Sequence, residues 1–173
     1  MRGNAHQITP LGAVVRGALA GGVGTGVMDL VWFSRYKKGG GEQGFIAWET
    51  AEGVEKWDQA SAPGLVGKRL AEGFLQREVP DRWARVTTNV VHWATGVAWG
   101  AQYGIAAGSK RRGQAVLALS LGPAVWLASY VVLPLAKLYK PIWEYDAKTL
   151  AKDLSAHVAY GAATGAAFSA LAR

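Results

Sequence analysis

From Gly113 to Leu133 the chain runs GQAVLALSLGPAVWLASYVVL, a stretch whose only ionisable side chain is the Tyr130 phenol. An α-helix rises about 1.5 Å per residue, so a run of this length crosses the roughly 30 Å hydrocarbon core of a bilayer. A surface helix of a water-soluble protein carries charges on its outer face at 3.6-residue spacing, and this run has none. Gly122-Pro123 near its middle removes one backbone hydrogen bond and kinks the helix, which neighbouring helices tolerate in a membrane.

Three further apolar runs flank this one. LGAVVRGALAGGVGTGVMDLVWF covers Leu11 to Phe33 and is interrupted by Arg16 and Asp29; VVHWATGVAWGAQYGIAA covers Val90 to Ala107; LSAHVAYGAATGAAFSAL covers Leu154 to Leu171. The first fits a span if the Arg16 side chain snorkels to an interface. It could also be a signal peptide, but polar residues ahead of Ile8 and the lack of a clear cleavage site favour an uncleaved span. The pattern predicts an all-α, four-transmembrane-helix bundle with spans at about 11–33, 90–107, 113–133 and 154–171, forming one integral domain over residues 1–173. Its first partner is then the lipid bilayer.

Averaged over the chain this pattern disappears. Mean hydropathy is +0.08 because four apolar runs are averaged with charged connections. The 173 residues include no cysteine, which excludes disulfide scaffolds and thiolate metal sites. The net charge of +7 raises the question of nucleic acid. The basic residues and aromatics flank the apolar runs, so membrane anchoring explains them and no nucleic-acid partner is expected. Topology is left open by the charges. With four spans, the side holding both termini and the Lys110–Arg112 turn has six basic residues and no acidic ones, and the other side has 13 basic and 11 acidic. Counting Lys and Arg favours the long loop inside, whereas the cationic turn is itself an inside signal.

Glycine is abundant, with 23 residues. Gly96, Gly100, Gly104 and Gly108 recur every four residues, as do Gly161 and Gly165, Gly17 and Gly21, and Gly22 and Gly26. Small residues at this spacing share a helix face and let backbones approach closely, either within the chain or between copies in a homo-oligomer. The second and fourth runs also match each other. His92, Gly96, Gly100, Ala101 and Tyr103 fall on His157, Gly161, Gly165, Ala166 and Phe168 at a constant offset of 65. The first and third runs align more weakly at an offset of 96, through Arg16-Gly17 on Arg112-Gly113 and Gly26 on Gly122. Two related helical hairpins are therefore expected, the first with a much longer connection.

That connection, residues 34–89, has nine basic and eight acidic side chains. Glu49, Glu52, Glu55 and Asp58, interleaved with Trp48 and Trp57, are expected on one short helix. GLVGKRLAEGFLQ after Pro63 sets Val66, Leu70, Gly73 and Phe74 opposite Lys68, Arg69 and Glu72, the pattern of an amphipathic interfacial helix. Trp32, Tyr36, Trp83, Trp93, Tyr139, Trp143 and Tyr145 form the expected aromatic belt at one membrane face.

Ionisable groups within spans are costly and mark candidate sites. Asp29, His92 and His157 qualify, and Asp153 joins them because it stands one turn before His157 on the same helix face. This candidate polar cluster could relay a proton or simply tie helices together by hydrogen bonds. Motifs for catalysis are missing. GGVGTG at Gly21–Gly26 has Val27 where a dinucleotide fingerprint needs its third glycine, and no strand precedes it. Ser155 and His157 are two residues apart and do not face each other on a helix. With two histidines and few carboxylates at depth, no metal site and no cofactor are expected.

HWATGVAWGAQYG, WLASYVVLP and WEYDAKTLAKDLSAHVAYGAATG together resemble a group of bacterial integral membrane proteins without an established activity, similar to the YagU-like inner-membrane proteins. The resemblance covers roughly residues 63–171 and is most specific over 143–161. It implies a small, multi-pass protein of the bacterial inner membrane and supplies no functional residue. The expected function is a non-enzymatic membrane protein with an envelope or stress role. The alternative is a small proton-linked or ion-conducting transporter using the intramembrane histidines and aspartates.

Overall fold

The structure, a computed structural model, describes residues 8–109 and 113–173. They form six α-helices and no strand: α1 (Pro10–Lys38), α2 (Phe45–Glu49), α3 (Ala62–Leu75), α4 (Ala84–Gly108), α5 (Gln114–Leu135) and α6 (Ala147–Leu171). The all-α expectation is met, and each of the four apolar runs falls on one long helix, with Gly113 alone standing just before its helix. α1 and α5 are long and apolar enough to cross a membrane. α4 and α6 dilute their apolar residues with glycine, threonine and histidine. The Lys110–Arg112 turn, and with it the Arg112 end of the weaker repeat match, lies outside the described residues.

Helix ends follow local chemistry. Pro10 opens α1, where a missing N–H costs nothing. Asp146 caps α6: its carboxylate accepts from the Thr149 N–H at 2.9 Å and from the Thr149 hydroxyl at 2.6 Å. These bonds hold the Asp146 carboxyl below the usual carboxylate range.

Contacts divide the chain into two compact units. The first comprises the described parts of Met1–Met28, Gly96–Trp126 and Lys152–Arg173, and it is a bundle of segments from all four long helices. Its seams are made of backbone. A Cβ added to Gly17 would stand 2.7 Å from the Gly104 Cα, and one added to Gly21 would stand 2.8 Å from the Gly100 Cα. Gly161 likewise lies against Gly122 and Ala118, and Gly165 against Ala118. All five glycines expected to pack helices (Gly96, Gly100, Gly104, Gly161 and Gly165) do so within the chain. Tyr160 adds a cross-bundle bond, its hydroxyl donating to the Gly96 carbonyl at 2.7 Å. Tyr103 meets Phe168 edge-on at 5.6 Å between ring centres.

These contacts revise the repeat register. Gly21 faces Gly96 and Gly100, while Ala118 faces Gly161 and Gly165; Thr25 faces Gly96, while Gly122 faces Gly161. Since α6 follows α4 at the offset of 65, α5 follows α1 at 97, one residue beyond the expected 96. The sequence match was drawn to glycines that coincide, whereas the contact ridge pairs Thr25 with Gly122.

Interior and exterior side chains are distributed in an unusual way. The buried positions of the first unit are dominated by Ala13, Ala20, Ala107, Ala118, Ala156, Thr25, Thr164 and glycines, with Tyr103, Leu121, Val125, Tyr160 and Phe168 as the bulky exceptions. Most large aliphatics of α1 and α5 point outward: Leu11, Val15, Leu19 and Val23 form an exposed stripe at four-residue spacing on α1, and Val116 and Leu119 are exposed on α5, where Leu121 and Val125 turn inward.

The second unit comprises Asp29–Thr95 and Leu127–Ala151. The acidic stretch expected on one short helix is broken. α2 ends at Glu49, and Ala51 (φ 50°) and Gly53 (φ +99°) then turn the chain into a single 3₁₀ turn at Trp57–Gln59. α3 forms as expected but packs by its small face, Gly64 lying against Thr88 and Gly67 against Thr87 and Val91 of α4. Leu70, Phe74 and Leu75 stay exposed, with Phe74 at 85%. All seven belt aromatics belong to this unit. Tyr130, Tyr139 and Tyr145 cluster at 5.3–6.3 Å between ring centres.

The seam geometry sets a clear contrast. Gly100→Ala puts a methyl into the α1 backbone and should destabilise the fold by about 1–3 kcal/mol, as overpacking does. At Gly22 a Cβ would meet only Val97 Cγ2, at 4.0 Å. Gly22→Ala should therefore be neutral or stabilising by up to about 1 kcal/mol, from helix propensity. Thermal unfolding in detergent, followed by circular dichroism, separates the two.

Candidate functional site

On α1, Gly17, Gly21, Thr25 and Asp29 stand four residues apart; on α4, so do His92, Gly96, Gly100 and Gly104. Two ridges of this spacing running in opposite directions bring Asp29 opposite His92. The carboxylate of Asp29 is 4% exposed as a residue, and His92 Nε2 lies 3.0 Å from both of its oxygens. An Nε2–H donated between the two oxygens fixes the imidazole orientation. The pair thus joins α1 to α4 through a buried charge and its partner, an arrangement that is costly to break.

A third group comes from the long connection. Glu49, the last residue of α2, accepts a hydrogen bond from the Trp93 Nε1–H at 3.0 Å. Burial holds its carboxyl above the usual glutamate value, and the Asp29 carboxylate raises it further, against the opposing pull of the Trp93 N–H and His92. α2 is held in place next to it. The Thr50 carbonyl accepts from Arg85 Nε at 2.9 Å and from Asn89 Nδ2 at 3.0 Å, and the Thr50 hydroxyl meets Arg85 Nη2 at 3.0 Å. On the α1 side, Phe33 packs on Phe45 and Trp48, with ring centres at 5.2 and 5.5 Å.

Asp153 and His157 form their own pair in the first unit. His157 Nδ1–H donates to the Asp153 carbonyl at 3.0 Å, with the Asp153 carboxylate at 3.4 Å. Of the four candidate residues, the structure joins Asp29 to His92 across two helices and Asp153 to His157 within one. The hairpins differ here: the position corresponding to Asp29 at the offset of 97 is Trp126, so the second hairpin has no carboxylate at that place. Among the described residues, no group of three or more His, Asp or Glu is placed to hold a metal ion.

Sequence reasoning left Glu49 among the solvated acids of the loop. A signal was present: Trp48-Glu49 is an aromatic–acid step bounded by Gly44 and Gly53, short enough to fold back on a helix pair. Nothing in the spacing names the partner, because Trp93 and Asp29 lie 44 and 20 residues away. Comparison with protein-family models, curated proteins and solved structures finds no match for this chain.

His92→Ala removes the counter-group of a buried carboxylate and should cost about 3 kcal/mol, the low end for a broken buried pair because His92 keeps partial exposure. Adding Asp29→Asn should recover part of this loss by removing the stranded charge. A double-mutant cycle on thermal stability checks the sign of the coupling.

Proposed function

We propose that the chain is a multi-pass integral membrane protein, a single four-span domain of a bacterial inner membrane, whose role is non-enzymatic. The observation that carries this reading is the outward placement of most large aliphatics on α1 and α5 around an interior rich in glycine, alanine and threonine, to which α5 adds only Leu121 and Val125. A core helix of a water-soluble protein is mostly buried, yet only 28% of the most apolar stretch of α5 is covered and 33% of that of α1. Such surfaces need an apolar surrounding, and small-residue seams are how helices associate where lipid is as apolar as leucine. α4 and α6 complete the proposal through their glycine seams with α1 and α5. The exposed Leu70, Phe74 and Leu75 of α3, next to Arg69 and Arg77, fit the interfacial zone. The resemblance to YagU-like proteins agrees with this setting.

A second reading is favoured by the Asp29–His92 pair: proton-linked movement through the bundle. A carboxylate and an imidazole joined across two helices can pass a proton between them, which a purely structural bundle does not require.

Two measurements test these readings. After alkaline carbonate washing, the protein should stay in the membrane pellet; release to the supernatant would overturn the membrane reading. Reconstituted in liposomes holding a pH-sensitive dye, the protein should show proton flux that Asp29→Asn abolishes. Flux absent from the unaltered protein, or unchanged by this substitution, would remove the second reading and leave the first intact.

A further inference from the structure

α3 turns its small residues inward and its large apolar ones outward. Gly64 and Gly67 lie against Thr88, Thr87 and Val91 of α4, whereas Leu70, Phe74 and Leu75 are exposed. The chain beyond α3 is nonetheless firmly held. Gln76, at φ 52°, ends the helix, and the Val79 N–H donates to the Glu72 carboxylate at 3.1 Å. Trp57 donates its Nε1–H to the Val79 carbonyl at 2.8 Å and its backbone N–H to Asp81 at 3.3 Å. α4 then starts at Ala84, directly after the exposed Trp83. The apolar edge is therefore fixed at the end of a long helix, where a membrane-spanning bundle meets the headgroup layer.

Charge on this corner is unevenly committed. Residues 68–85 hold five basic and three acidic side chains. Two of the acids are engaged within the protein: Glu72 by the Val79 N–H and by Lys68 Nζ at 3.7 Å, and Asp81 by the Trp57 N–H. Glu78 is the remaining acid. Arg85 is engaged on Thr50. Among the described residues no carboxylate pairs with Arg69, Arg77 or Arg82, and all three side chains are exposed. An arginine stem lies along apolar surface while its guanidinium binds phosphate oxygens two at a time. In a zwitterionic headgroup the lipid's own cation balances the phosphate. An anionic headgroup leaves that charge unopposed, and each arginine near such a surface favours the docked state by roughly fivefold.

We infer that the α3–α4 corner is a docking surface for anionic phospholipid headgroups, in which Leu70, Phe74 and Leu75 enter the acyl boundary and Arg69, Arg77 and Arg82 bind the phosphates above them. This inference rests on the membrane reading and adds to it the chemistry of the lipid that holds the long connection down. A second copy of the chain would bring like charges together on this surface, and an acidic protein face would offer no apolar layer beneath Phe74.

The test uses the full chain, which has no cysteine, carrying a bimane fluorophore on Gly73→Cys; a Cβ at this position meets nothing within 4 Å. The labelled protein is placed in nanodiscs of phosphatidylcholine, alone or mixed with phosphatidylglycerol, and quenching by acrylamide, an uncharged water-borne probe, is measured. Phosphatidylglycerol should lower the quenching severalfold and shift the emission to shorter wavelength. Molar salt, which cuts the Debye length to about 3 Å, should reverse most of that protection. The combination of Arg69→Gln, Arg77→Gln and Arg82→Gln should abolish the difference between the two lipids, and Arg69→Lys, Arg77→Lys and Arg82→Lys together should keep most of it. Equal quenching in the two lipids, or protection unmoved by salt, would overturn the inference. So would protection that already exists in detergent and grows with protein concentration, the mark of a second copy. Protein that never co-elutes with the discs refutes the membrane reading and this one with it, whereas protein that co-elutes without lipid preference refutes this one alone.

Discussion

Everything else in this protein depends on the approach of α1 to α4 without side chains between them. Gly17 and Gly21 lie on Gly100 and Gly104 so closely that the helices touch backbone to backbone. At this distance dispersion is dense and Cα–H groups point at carbonyl oxygens, attractions that survive where water provides no drive. The cost is that glycine weakens each helix by up to about 1 kcal/mol per residue relative to alanine. At Gly100 the close contact offsets this cost and leaves no room for a methyl, whereas at Gly22 the space beside the backbone is open.

Close approach also explains the polar site. Asp29 and His92 have short or compact side chains and could not span the wide gap of a leucine-packed helix pair. They meet at 3.0 Å. Asp29 is buried, so its charge is stabilised only by what the protein places around it. His92 supplies one partner, and the connection between α1 and α4 folds back so that Glu49 accepts from the N–H of Trp93, the next residue. A loop that first looks like a charged spacer thus completes the chemistry of the helices it joins.

Much of this was legible in the sequence. The 21-residue run around Gly122-Pro123, the four-residue glycine spacing and the His92/His157 correspondence fix the helices and the faces by which they pack. Asp29 and His92 stood out as ionisable groups in apolar runs. Their direct pairing was not seen, although the ridge from Gly17 to Asp29 carried it: the reading matched glycine to glycine and passed over Thr25, whose hydroxyl is satisfied by the Gly21 carbonyl at 2.9 Å and so occupies a seam position like a small residue. The same bias produced the offset of 96 in place of 97. Glu49 was hidden for a different reason. Its position depends on where Ala51 and Gly53 break the chain and on bonds to Thr50 from residues 35 and 39 positions away. Such tertiary contacts leave no period in a sequence.

The central claim is that the aliphatic exterior of α1 and α5 faces lipid. Because the chain has no native cysteine, single nitroxide labels can be placed cleanly at Leu19→Cys and Leu119→Cys and, for reference, at Glu52→Cys. Power-saturation spectroscopy in liposomes then compares collisions with oxygen, which concentrates in lipid, against a water-soluble nickel chelate. The account predicts high oxygen and low chelate accessibility at positions 19 and 119, and the reverse at position 52. Chelate accessibility at positions 19 and 119 equal to that at position 52 would contradict it.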